Sequence, residues 1–172
     1  GSPLEGYEAS RQPGAYPLAD IISLAAIAPS GDLTRLAELT KALTHENEVV
    51  RYWAATGLLI LKERALPARA ALLDASKRET TTSVRVVLAE ALTHFGHGHR
   101  ARQIFADLLT SAPTPIGALQ ALNAITFVAP AYRPMDIVSK WKNDTEYLGR
   151  AARYLILITD KHYDPSVSLL PK

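Results

Sequence analysis

The stretch VVRYWAATGLLIL, residues 49–61, decides the fold because the chain repeats it. The run that begins at Val84 aligns with it when Val50-Arg51 is placed on Val84-Arg85, an offset of 34 residues. Similarity at a period of about 20–50 residues is typical of solenoids, in which helical hairpins bury their apolar faces by stacking. The coinciding side chains are alike in size: Ala55 and Ala89, Gly57 and Ala91, Leu58 and Leu92, Leu61 and Phe95.

Outward from this stretch, the apolar spacing predicts about four helical pairs preceded by one helix. The preceding helix opens near Pro17 and ends at Pro29-Ser30-Gly31. The pairs occupy about 33–62, 67–95, 99–128 and 134–159, with Asn47 as an N-cap and Pro67 at the first position of a helix. No stretch alternates with a period of two residues. The predicted fold class is therefore all-α, an α-α superhelix of the solenoid kind.

The Pro and Gly content divides the chain into three parts. Residues 1–16 are interpreted as a linker or strap, residues 17–159 as the helical repeat domain and residues 160–172 as a C-terminal tail. The chain begins Gly1-Ser2 rather than with Met, which is typical of a tag-cleavage scar. We therefore expect it to be a piece of a longer protein.

Composition excludes several classes of function. The chain has 19 basic and 17 acidic residues, a formal net charge of +2, which argues against binding nucleic acid through bulk charge. It has no cysteine, and so no disulfide, no thiolate nucleophile and no Cys-ligated zinc. No apolar run approaches the roughly 20 residues that span a bilayer, so no membrane partner is expected.

The Val-Arg, Ala-Ala and Leu of residues 50–58, placed after a short polar turn, resemble the second helix of HEAT-like repeats. In that family an Asp of the turn typically holds the second-helix Arg across repeats. The equivalent turns here offer Asn47 and Thr81 or Thr82 instead. The resemblance therefore leaves a glutamate as the substitute partner, and the candidates are Glu46, Glu48 and Glu79.

A closer resemblance covers roughly Ala15 to Val128. The segments 15–18, 36–39 and 50–58 together are similar to the HEAT-repeat region that follows the catalytic domain in some bacterial sulfatases of the heparan N-sulfatase (N-sulfoglucosamine sulfohydrolase) kind. Those enzymes hydrolyse sulfate esters or sulfamates with a formylglycine, made within a Cys/Ser-x-Pro-x-Arg motif, and a bound calcium ion. The motif is absent here. The fragments nearest to it, residues 28–31 and 111–114, lack its Arg.

The resemblance thus implies an accessory domain with no catalytic and no cofactor-binding residue of its own. Calcium and formylglycine are expected only in the catalytic domain of the parent, which would be periplasmic or secreted. The expected partners are that catalytic domain or another protein. Two alternatives are a free-standing HEAT-repeat scaffold that binds a protein, and a HEAT-like nucleic-acid-binding protein or DNA glycosylase, which would need a basic channel.

Two groups of residues are candidates for a site. The imidazoles of His94, His97 and His99 are spaced to converge on a metal, but they lie in an inter-repeat turn without a carboxylate, so any zinc binding is expected to be weak and incidental. The second group mixes aromatic and basic side chains that suit a sugar, a base or a protein surface, or alternatively serve the core and the turns. Its members are Arg51, Tyr52, Trp53, Arg85 and Trp141.

Overall fold

The structure, a computed structural model, describes residues 16–111, 115–128 and 149–153. These residues form helices and turns and contain no strand, which confirms the prediction of an all-α fold. None of the helices described has the length and apolar character needed to cross a membrane. The α-helices are α1 Leu18–Ile27, α2 Leu36–Ala42, α3 Glu48–Leu61, α4 Arg69–Arg78, α5 Thr82–His94, α6 Gly98–Ser111 and α7 Pro115–Val128.

The helices pack as hairpins that contact one another in chain order. α2 packs on α3, α4 on α5, and α6 on α7, so three of the predicted pairs are present. The second helices of the pairs also pack side by side, α3 on α5 and α5 on α7. Each hairpin therefore buries apolar side chains against its neighbour, as the repeat predicts. A superhelical winding of this stack stays a prediction.

The start and the end of α3 have identifiable causes. The Asn47 side-chain oxygen accepts hydrogen bonds from the backbone N–H groups of Val49 and Val50, at 2.9 and 3.4 Å, as predicted for an N-cap. At the other end Lys62 has a φ of +51°, a conformation that L side chains rarely adopt. This turn redirects the chain into the 3₁₀ segment Lys62–Ala68, which connects α3 to the next hairpin.

The prediction that Pro67 opens a helix is wrong. Pro67 lies inside the 3₁₀ segment, and α4 begins two positions later at Arg69. The reason is burial, because the 3₁₀ geometry places Ala65 and Ala68 at 0% and 2% exposure against the core. Of the predicted fourth pair only residues 149–153 are described, and they are helical. The strap up to residue 15, the tail from 160 and the rest of that pair lie outside the described residues.

α1 belongs to the same row of second helices. Shifting it by 34 residues places Leu24 on Leu58 of α3, which in turn corresponds to Leu92 and, with an offset of 33, to Ile125. All four side chains are buried. α1 also packs directly on α3. Four equivalent helices, α1, α3, α5 and α7, therefore lie side by side and present equivalent faces.

Candidate interaction surface

Arg51 is held between two repeats. Its guanidinium donates from Nε to Glu79 Oε2 at 2.7 Å and from Nη2 to Glu79 Oε1 at 3.0 Å, a two-pronged pair across the hairpin boundary. Nη1 donates to the backbone carbonyls of His45 and Glu46, at 2.8 and 2.7 Å. Of the three glutamates that the repeat resemblance left as candidates, Glu79 is the one whose carboxylate pairs with the guanidinium.

The Glu79 carboxylate is itself deeply placed, with a side chain that is 4% exposed. Burial alone would raise its pKa, but the hydrogen bonds from Arg51 and from the backbone N–H of Thr81 lower the pKa below its ordinary value. The same hydrogen bond raises the pKa of the Arg51 guanidinium. Both groups therefore stay charged at neutral pH, and Arg51 stabilises the boundary between two neighbouring hairpins.

Arg85, the repeat equivalent of Arg51, also pairs across a boundary. Its Nη2 donates to a carboxylate oxygen of Asp107 on α6. This hydrogen bond, followed by one from Ser111, lowers the pKa of Asp107. At the corresponding position α7 carries Ala118. Both arginines of the predicted aromatic and basic group thus have carboxylate partners.

Tyr52 and Trp53 lie against the core. Both are partly buried and pack on the central cluster, and their rings meet edge to face at 82° with centroids 5.6 Å apart. The Arg51 guanidinium, by contrast, points toward the turn before α3. Trp141, the last member of the predicted group, lies outside the described residues.

The three histidines face different partners. His94 Nδ1 lies 3.4 Å from Glu63 Oε1, His97 Nε2 accepts from Arg69 Nε at 3.0 Å, and His99 Nε2 lies 3.1 Å from Gln103 Nε2. Burial, then the charges of Arg69 and Lys77, lowers the pKa of His97. Across the described ranges, no three His, Cys, Asp or Glu side chains form a group suited to a metal ion. The structure does not bring the three imidazoles together.

A cleft of about 280 Å³ between α1 and the first hairpin holds Asp20, Ser23 and His45. This trio invites comparison with a hydrolase triad. However, His45 Nδ1 accepts the backbone N–H of Asn47 at 3.0 Å, so the ring proton is on Nε2, which lies 3.7 Å from Asp20. Neither ring nitrogen is then available to take a proton from Ser23, and this arrangement does not suit nucleophilic catalysis.

The outer stripes of α1, α3, α5 and α7, whose side chains are exposed or partly buried except for the buried Val86, form a more extensive feature, which we call the repeat face. On each helix the stripe lies opposite the buried leucine or isoleucine. Because the four helices are equivalent, the stripes align in rows. The rows are Val49, Ser83 and Ile116; Leu18, Tyr52, Val86 and Leu119; Ile22, Thr56, Glu90 and Asn123; and Ala26, Ile60, His94 and Phe127.

The repeat face is apolar and largely uncharged. Of the eight large hydrophobic side chains that are exposed in the described residues, five lie on it. The most exposed are Ile22 at 60%, Ile116 at 67% and Phe127 at 83%. None of its rows contains a Lys or Arg. The sequence pattern does not predict this face, because α1 matches the other helices in burial rather than in residue type and because apolar residues on both sides of a helix suggest core.

Glu90 is the one carboxylate of the repeat face. It is partly buried in the middle of α5, and no cation of the described residues pairs with it. Burial raises its pKa from the ordinary 4.5 to about 6. A signal for it was present in the sequence, since Glu90 interrupts the otherwise apolar run from Val86 to Leu92.

Glu90 is expected to make stability depend on pH. Because its pKa is raised in the folded state, the folded protein binds more protons between pH 4.5 and about 6, so this contribution to stability falls as the pH rises through that window. We expect Glu90→Gln to be more stable than the wild type by about 1–2 kcal/mol above pH 6.5. Urea unfolding of both proteins from pH 4 to 8 measures the difference, and a constant difference would contradict it.

Comparisons with protein-family models, with curated proteins and with solved structures found no match to the chain.

Proposed function

We propose that this chain is a non-catalytic helical-repeat domain that binds another protein along the repeat face. The observation that supports it most is the concentration of exposed apolar side chains on one aligned surface, Ile22, Ile60, Ile116 and Phe127 among them. Contiguous apolar surface on a soluble protein typically marks an interaction site, because its exposure to water is unfavourable. Repeat proteins commonly bind their partners along such extended surfaces.

The surroundings of the face support a protein partner rather than nucleic acid. Phosphate binding needs Lys or Arg on the contact surface, and the rows of the repeat face carry neither. The guanidiniums of Arg51 and Arg85, on two of the helices that form the face, are paired with Glu79 and Asp107. An apolar segment of a protein matches this surface better.

The resemblance of roughly Ala15 to Val128 to the region behind some sulfatase catalytic domains supports a finer proposal. The partner would be such a catalytic domain, within the same polypeptide, and this chain its accessory domain. The sequence of the parent tests this. A Cys/Ser-x-Pro-x-Arg motif upstream would support it, whereas a parent without that motif would leave a free-standing interaction scaffold as the function.

The repeat face is tested with the double variant Ile22→Lys/Phe127→Lys. Both side chains are mostly exposed, so we expect the unfolding free energy to change by less than about 1 kcal/mol. Binding should be lost, because two ammonium groups would have to be desolvated in an apolar interface. Proteins crosslinked in the native host to the wild type but not to the variant are identified, purified and titrated by calorimetry.

Leu66→Lys is the matched control, since Leu66 is 48% exposed but lies in the 3₁₀ segment, outside the rows of the repeat face. It should bind like the wild type. A partner that binds the double variant and the control equally well would place the interface elsewhere. A marked loss of stability in the double variant would mean that this chain itself covers the face.

A further inference from the structure

Glu90 lies at a position where it would contact a side chain of a bound partner. It occupies the third of the four stacked helices, in the same row as Ile22, Thr56 and Asn123. Stacked helices lie about 8–10 Å apart, so the row runs for about 25–30 Å across the domain. A helix of about 20 residues covers that length. An amphipathic helix laid along the row would place its middle turns over Glu90.

The rows of the repeat face carry a negative charge at Glu90 but no Lys or Arg to balance it. His94 is the only imidazole in these rows. His94 is itself directed to the Glu63 carboxylate. The Glu90 carboxylate is therefore partly buried without a counter-charge from the described residues, which is an unfavourable arrangement for the isolated domain.

We propose that the repeat face binds an amphipathic helix of a partner protein, and that a Lys or Arg on the apolar side of that helix pairs with Glu90. This inference rests on the proposed function and adds the chemistry of the partner. Apolar side chains of the helix pack against Ile22 and Ile60 on one side of Glu90 and against Phe127 on the other. The cation supplies the counter-charge that the described residues do not provide, and it fixes the register of the helix along the row.

The physical basis is specificity. Apolar contacts alone accept many sequences and many registers, because they are not directional. A partly desolvated carboxylate discriminates between partners with and without a cation at this position. A partner that covers it without a cation leaves a charge unpaired. Proteins commonly retain residues that lower stability when those residues serve binding. Glu90 fits that description, whereas Thr56 and Asn123 at the equivalent positions carry no charge.

Two synthetic peptides test the inference. Each is an 18-residue amphipathic helix with leucines on one face, and the central position of that face is Lys in one peptide and Gln in the other. By calorimetry at pH 8 the wild type should bind the Lys peptide at least about tenfold more tightly, because only that peptide provides a charged hydrogen-bond donor for the Glu90 carboxylate. Glu90→Gln should lose this preference.

Asp74→Asn is the matched control, because it removes an exposed carboxylate of α4 that is far from the repeat face in the fold, and it should keep the preference. If the wild type binds both peptides equally and Ile22→Lys/Phe127→Lys binds neither, the role of Glu90 is refuted and the repeat face stands. If neither peptide binds the wild type, both proposals fail. A preference that survives in Glu90→Gln would assign the cation to another group.

Discussion

Replacing Glu79 with alanine is expected to lower the free energy of unfolding by about 3 kcal/mol, because removal of one partner leaves a mostly buried charge uncompensated. The Arg51 side chain is 18% exposed and would lose both of its charged hydrogen bonds. The backbone N–H groups of Thr80 and Thr81 would also lose the Glu79 oxygen that they share, at 3.0 and 2.8 Å. Urea unfolding followed by circular dichroism measures the loss.

Two further measurements define the origin of this effect. Asp74→Ala removes the carboxylate of an exposed pair with Lys77 and should change stability by less than about 0.5 kcal/mol. The double variant Arg51→Met/Glu79→Leu should be more stable than Glu79→Ala, since neither charge is then left alone. Because the pKa of Glu79 is lowered, the pair's contribution is present above pH 4.5 and is lost as the pH falls further. A loss below 1 kcal/mol in Glu79→Ala would refute the role given to the pair.

Gly57→Leu is expected to destabilise the protein by about 3 kcal/mol through overpacking. A Cβ added at Gly57 would lie 2.7 and 2.9 Å from the two methyl carbons of Leu39 and 3.3 Å from the Ala28 backbone. Leu39 is 2% exposed, so it has little room to move aside. The larger leucine side chain must separate α3 from α2 and from the end of α1. Thermal unfolding measures the loss.

Gly57→Ala and Ala70→Leu complete the series. The alanine variant gains roughly 1 kcal/mol of helix propensity but loses more to the contact with Leu39, so a net loss of about 1–2 kcal/mol is expected. Ala70 is an exposed residue of α4, and a leucine there should change stability by less than about 0.5 kcal/mol. An unchanged melting temperature in Gly57→Leu would show that α2 and α3 do not approach each other closely at this point.

The helical spacing of apolar residues made most helices predictable from the sequence. Capping side chains made some of the helix ends predictable as well. Asn47 has the side chain of an N-cap and behaves as one, because its reach to the next backbone N–H groups is local. The prediction that Pro67 opens an α-helix was wrong because the restricted φ of proline suits both the first turn of an α-helix and a 3₁₀ turn. The choice was made by burial of Ala65 and Ala68, which depends on the neighbouring hairpin and is not visible in the local sequence.

Features that join distant parts of the chain were only partly predictable. The resemblance to a repeat narrowed the partner of Arg51 to three glutamates, and packing of the next turn selected Glu79. The repeat face required all four helices in register, and α1 matches the others in burial rather than in residue type. Leu24 aligns with Leu58, but Pro17 stands where Arg51 would, so identity alone does not reveal the equivalence.

The arginine pairs have a consequence for how the domain opens. In a linear array, stability is the sum of the units and of the coupling between neighbours. Arg51 and Arg85 each reach from one hairpin to the next, so the first two boundaries carry an added coupling energy. α7 has Ala118 at that position and extends no guanidinium beyond itself. Amide exchange should therefore be slowest around α3 and α5 and faster in α1 and α7, which lack such an arginine, so that fraying begins at these two outer helices.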